Sequence, residues 1–96
     1  MIKSFDDTVA ETIWSRRPVK SVAPGVQKAC YRKLQMINAA ADINDLRVPP
    51  GNRLKALQGK WKTYYQIRIN DQYRLRFQWK HGHAEKVAFG DWHDER

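Results

Sequence analysis

Hydrophobic and polar positions along this chain change period once, close to residue 50. After Ile2 to Phe5, whose weak alternation suits a short first strand, Asp6-Asp7 offers short carboxylates that accept from the first free N–H groups of a helix. Val9, Ile13 and Trp14 then recur at helical spacing up to Arg16-Arg17, and Pro18 stops the run. Pro24-Gly25 opens a second helix. Its Val26, Cys30, Leu34 and Ile37 draw one apolar stripe, leaving Lys28, Arg32 and Lys33 off that stripe, towards solvent or a partner. Ala39 to Ala41 continues it, Asp42 to Leu46 suits one more turn, and Pro49-Pro50-Gly51-Asn52 is the clearest break.

Beyond the break the period becomes two. Arg53 to Leu57 reads as a short strand closed by Gly59. Tyr65, Ile67 and Ile69 alternate with Gln66, Arg68 and Asn70, and Asn70-Asp71 is hairpin turn chemistry. Tyr73, Leu75, Phe77 and Trp79 alternate with Arg74, Arg76 and Gln78, His81-Gly82 turns again, and Ala84 to Phe89 forms a last strand. Hairpins this closely spaced are antiparallel. The expected fold is α+β, in the order β-α-α-β-β-β-β. Two N-terminal helices pack on one face of a curled, mainly antiparallel four- to five-stranded sheet, and the other face is left polar, basic and open. Residues 1–96 are read as a single domain, since neither side of the break is long enough to fold well alone.

Composition narrows the function. Eighteen Lys and Arg against ten Asp and Glu give a net charge of +8, which favours a polyanionic partner or an acidic protein surface. The excess is concentrated: Gly51 to Gly90 carries nine basic residues (Arg53, Lys55, Lys60, Lys62, Arg68, Arg74, Arg76, Lys80, Lys86) and only two acidic ones, Asp71 and Glu85. Cys30 is alone, so neither an internal disulfide nor a cysteine metal site can form, and it reads as a small buried apolar residue. No apolar run approaches the roughly 18 residues of a membrane span, and the start has no signal-peptide core, so a cytoplasmic protein is expected.

Two places could hold chemistry. Alternation puts Arg74 and Arg76 on one sheet face, where a guanidinium can grip a phosphate through two parallel donors; the structural alternative is a solvated face with cross-strand pairs. Asp91-Trp92-His93 gathers a carboxylate, an indole and an imidazole at the end of the last strand, against the alternative of a frayed terminus with a docked tryptophan. His93 could move a proton near neutral pH, and Trp92 could stack on a base. His81 and His83 flank a turn glycine and read as surface residues. No Gly-rich phosphate loop, nucleophile elbow or zinc-spaced set occurs, and carboxylates for a two-metal nuclease are sparse in the basic half. A nuclease built this way is expected to use no metal or cofactor. The RNA's own 2′-OH attacks the adjacent phosphate, which needs a proton acceptor, a donor for the leaving 5′-oxygen, and cations.

Met1-Ile-Lys-Ser-Phe5 before two helices, Arg53-Leu-Lys-Ala-Leu-Gln-Gly59, Tyr64-Tyr65-Gln-Ile67, Tyr73-Arg-Leu-Arg-Phe-Gln78 and Asp91-Trp-His93 together resemble the HigB or plasmid-maintenance killer toxins of the RelE-like superfamily. That resemblance implies a RelE-like fold and a type II toxin that inhibits translation by cutting mRNA in the ribosomal decoding site. Its implied partners are the ribosome and an adjacently encoded helix-turn-helix antitoxin of HigA type, with operator DNA bound only through the antitoxin and no membrane. It implies Arg74 as the arginine on the scissile phosphate and Asp91 and His93 as the C-terminal acid and proton-transfer histidine. Arg53, Lys60, Lys62, Arg68, Arg76 and Trp92 are the expected RNA contacts. This chain departs from the family pattern in carrying Lys55 where a histidine is usual, Gln58 where a lysine is usual and Trp92 where a tyrosine is usual. One reading makes Lys55 the general base, with its proton affinity lowered by Lys60, Arg74 and Arg76. The other makes the chain a weakened nuclease that still binds the ribosome and the antitoxin. A non-catalytic RNA- or ribosome-binding module, neutralised by an antitoxin, is a second class of function. A plain interaction domain for an acidic partner is a third class, separable by whether expression arrests growth.

Overall fold

Helix α1 (Thr8–Trp14) begins where a carboxylate can cap it: Asp7 Oδ1 accepts from the Ala10 N–H at 2.8 Å. It ends before Arg16-Arg17 because Arg16 takes a left-handed φ of 62° and turns the chain. Helix α2 (Pro24–Ala39) starts with its proline in the first turn, where a missing N–H costs nothing, and buries Cys30, Leu34 and Ile37 of the predicted stripe; Val26 is half-buried. The turn expected after it is a 3-10 helix, Ile43–Arg47, held by a reciprocal capping box between Asp42 and Asp45. Lys28 and Arg32 face outward as expected. Lys33 does not: it is half-buried and donates from Nζ to Oδ1 of fully buried Asn52 at 2.6 Å. The structure, a computed structural model, describes residues 1–92.

Strands β1 (Lys55–Ala56), β2 (Tyr64–Arg68), β3 (Arg74–Lys80) and β4 (His83–Gly90) form one antiparallel sheet in sequential order. The expected first strand is reduced to two parallel bridges on the outer edge of β4, Ile2 to Ala84 and Phe5 to Val87. The strand expected over Arg53 to Leu57 shrinks to two residues. Arg53 at φ 48° and Gly59 at φ 64° bend the chain on either side of it, and Gly59–Trp61 forms a 3-10 turn. A register shift between Arg76 and Gln78, with Lys86 at φ 55° opposite, is a bulge that twists the β3–β4 hairpin.

Both helices lie on one face of this sheet. Ile13, Leu34, Ile37, Ile67, Leu75, Phe77 and Val87 are fully buried between the layers, each burial stabilising the fold by about 1.5–3 kcal/mol. Asp7 ties the layers together, since its Oδ2 also accepts from the Phe89 N–H of β4 at 2.9 Å. The second face is polar, as expected, but it is not open. Gln66, Arg74, Arg76 and Gln78 are only 2–8% exposed, and over Arg76 lie two indoles, one from the β1–β2 connection and one from beyond β4. No helix among the described residues is long and apolar enough to cross a membrane.

Candidate functional site

The polar face is built in cross-strand rows. One row runs Lys55, Gln66, Arg76, Ala88 across the four strands, and the next runs Arg68, Arg74, Gly90. Arg76 is the centre. Its Nε donates to Gln66 Oε1 at 3.0 Å, and its guanidinium lies 4.7 Å from the Trp61 ring centroid and 4.4 Å from that of Trp92. Two indoles thus hold one flat cation, each contact contributing about 0.5–2 kcal/mol. Trp61 also meets Trp92 at 5.9 Å and the edge of Tyr64 at 5.0 Å. Gly90 makes this possible: a Cβ there would come within 2.6–2.7 Å of three Trp92 ring carbons, so only hydrogen lets the indole lie so close to β4.

Arg74 faces Arg68 directly, a like-charge pair that the surroundings offset. Arg68 is ion-paired with Asp71 in the hairpin turn, and Arg74 Nη1 donates to the carbonyls of Asn70 and Tyr73. Arg74 therefore has a structural task in the β2–β3 turn besides any role towards a ligand. Asp91 is exposed and accepts from Gln72 Nε2 at 3.2 Å. Lys55, Arg53, Lys60 and Lys62 are exposed along the β1 side, on the edge strand and its flanking turns. Lys55 is thus brought into the row of Arg76, but on an exposed edge strand, whereas the sequence reading placed it among Lys60, Arg74 and Arg76. His93 lies outside the described residues.

Arg74 and Arg76, expected on an open face, are buried, since alternation assigns a side to a side chain but not what covers that side. His81 is exposed, but His83 is half-buried, and its Nδ1 is shielded with no hydrogen-bond partner among the described residues. Sequence reasoning also missed Trp61 and Gln66. Trp61 had a local signal, an indole between Lys60 and Lys62; Gln66 shares its face with Arg68 by alternation, but its bond to Arg76 depends on strand register.

Fold and face together describe a class: small basic α+β domains in which a helix pair backs a sheet and the opposite face carries arginines and aromatics. A conserved hypothetical protein of Helicobacter pylori, known from a solution structure, shares the fold with a TM-score of 0.53 over 93% of this chain and 94% of that one, at 15% identity. Family follows from sequence. Residues 3–93 match the HigB-like toxins, described as the RelE-like toxin of the type II toxin–antitoxin system HigB, and the chain belongs to that family. The toxin HigB-1 of Vibrio cholerae serotype O1 is 46% identical over 63 residues, 66% of each chain. An uncharacterized protein of Haemophilus influenzae is 39% identical over 66 residues, 69% of this chain and 65% of its own. The matched stretch spans just under two thirds of the length of both relatives.

Proposed function

We propose that this protein is the toxin of a type II toxin–antitoxin pair and a ribosome-dependent endoribonuclease that inhibits translation by cutting mRNA in the decoding site. The observation that carries this reading is the pair of adjacent rows Lys55–Gln66–Arg76 and Arg68–Arg74–Gly90 in a HigB-like chain, bordered by two indoles and by Asp91. Exposed cations along the β1 side and half-buried indoles on the same face suit a single RNA strand, whose phosphates need charge and whose splayed bases need stacking. In this reading the RNA 2′-OH attacks the neighbouring phosphate. Lys55 accepts its proton, Arg74 neutralises the charge developing on the phosphate oxygens, and His93, with Asp91 as the C-terminal acid, protonates the leaving 5′-oxygen. Arg53, Lys60, Lys62 and Arg68 contact the flanking backbone, and the proposed antitoxin is of HigA type, encoded beside the toxin.

The test is cleavage of an mRNA by purified protein, with and without programmed ribosomes and over a chelator series that leaves ribosomes intact, beside Lys55→Ala, Arg74→Ala and His93→Ala. Cuts inside the decoding-site codon that require ribosomes, persist as magnesium is lowered and fade in the variants support the reading. Wild-type rates in Lys55→Ala would remove that residue from the mechanism. Binding to ribosomes without cleavage would replace the nuclease by a non-catalytic binding module.

A further inference from the structure

We infer that Trp61, a residue outside the expected contact set, is a nucleobase-stacking residue, with Lys60 and Lys62 holding the phosphates on either side of the stacked base. The inference rests on the RNA reading above and deepens it by naming where a base is gripped. Three observations meet at this position. The 3-10 turn Gly59–Trp61 carries Trp61 between two exposed lysines in the chain, so that an indole and two cations occupy three consecutive residues. A single nucleotide offers the complementary arrangement, a flat base between two phosphates. Trp61 is only half-buried, although a tryptophan docked for stability alone is better placed in the apolar layer on the other side of the sheet.

The third observation is Arg76. A buried arginine at the centre of a sheet face is expensive unless its charge is compensated, and Gln66 and two aromatic rings contribute to that compensation here. The guanidinium fixes Trp61 and Trp92 at a set spacing, so the rings are pre-oriented before a ligand arrives and little side-chain entropy remains to be lost on stacking. Arg76 is thus a positioning residue, acting on RNA through the indoles. Gly59 supports the same arrangement from the backbone, since its φ of 64° starts the turn that carries Trp61.

The experiment measures binding of a short, mixed-sequence single-stranded RNA, methylated at every 2′-OH so that it cannot be cut, by anisotropy across a salt series. Trp61→Ala is expected to bind about 10- to 100-fold more weakly, the range that loss of one stacked base implies. Trp61→Phe keeps a ring over Arg76, guards against a folding defect and is expected to fall between the two. Lys60→Ala and Lys62→Ala should each reduce the slope of log K against log salt by about 0.7, whereas Lys28→Ala on α2 should leave affinity close to wild type. Arg76→Lys retains the charge but not the flat cation; affinity is expected to fall with the salt slope unchanged. Wild-type affinity in a folded Trp61→Ala overturns the inference and leaves the RNA reading standing. No RNA binding by the wild type overturns it too, and the ribosome cleavage assay then judges the nuclease reading separately.

Discussion

Gly90 sits opposite Arg74 in the β3–β4 ladder, and three ring carbons of Trp92 occupy the place where a side chain would begin. No unusual φ demands glycine there, so the requirement is one of space and not of backbone strain. Gly90→Ala should therefore lift Trp92 from Arg76 while the strand stays paired. The expected result is a red-shifted tryptophan emission and a new indole N–H position by NMR, with a loss of stability of no more than about 1–2 kcal/mol. Unchanged spectra would mean that Trp92 is not seated on β4 in solution. Arg74 and Arg76 make a related point about single residues. Their side of the sheet was legible from alternation with Leu75 and Phe77, but the cover over Arg76 came from Trp61 and Trp92, which arrive from segments 15 or more positions away in sequence.

At the scale of elements, caps and breakers carried most of the information. Asp7, Pro24 and the break before Gly51 were readable because each acts on its own few residues. Asp7 goes further than a cap, since one oxygen serves Ala10 of α1 and the other serves Phe89 of β4. Asp7→Ala should cost about 2–3 kcal/mol by urea denaturation, combining a lost N-cap with an unpaired strand N–H. Asp7→Asn, which retains one carbonyl acceptor, should recover roughly half. A loss below about 1 kcal/mol in the alanine variant would show that the contact to β4 is immaterial. The reduced first strand and the two-residue β1 were less legible, because pairing of such short segments is decided by the edge they meet. Ile2 and Phe5 find β4, and Lys55 and Ala56 find β2.

At the scale of the whole molecule, alkaline pH tests how tightly the layers close. Burial pushes the Cys30 thiol up to about 12, with the Asp7 carboxylate acting in the same direction. Below the ordinary value of 9.0 the thiol is neutral whether the chain is folded or not; between 9.0 and about 12 the unfolded chain ionises and the folded one does not. Stability from this group is therefore full below pH 9 and lost across that window, at up to about 1.4 kcal/mol per pH unit. Lys33 acts oppositely: burial first, and then Arg32 and Arg68, lower its proton affinity, so its charge opposes folding until pH rises. Cys30→Ala isolates the thiol. Its denaturation midpoint should decline less steeply than wild type above pH 9, and parallel curves would mean that the thiol ionises equally in both states.

The sequence by itself determined the α+β class, the element order, the apolar stripe of α2 and the faces of β2 and β3, since each follows from periodicity or from a residue acting on its neighbours. It also determined the excess of positive charge in the C-terminal half and the set of residues that resemble the HigB-like toxins. Only the tertiary structure decided that Lys55, Gln66 and Arg76 share a row, because register depends on turn geometry and bulges summed over several strands. It alone decided that the polar face is covered and that Arg76 lies against two indoles that touch each other. Burial and cation–π contact are properties of groups brought together across the chain, and a glycine in one strand can settle them for a tryptophan beyond it.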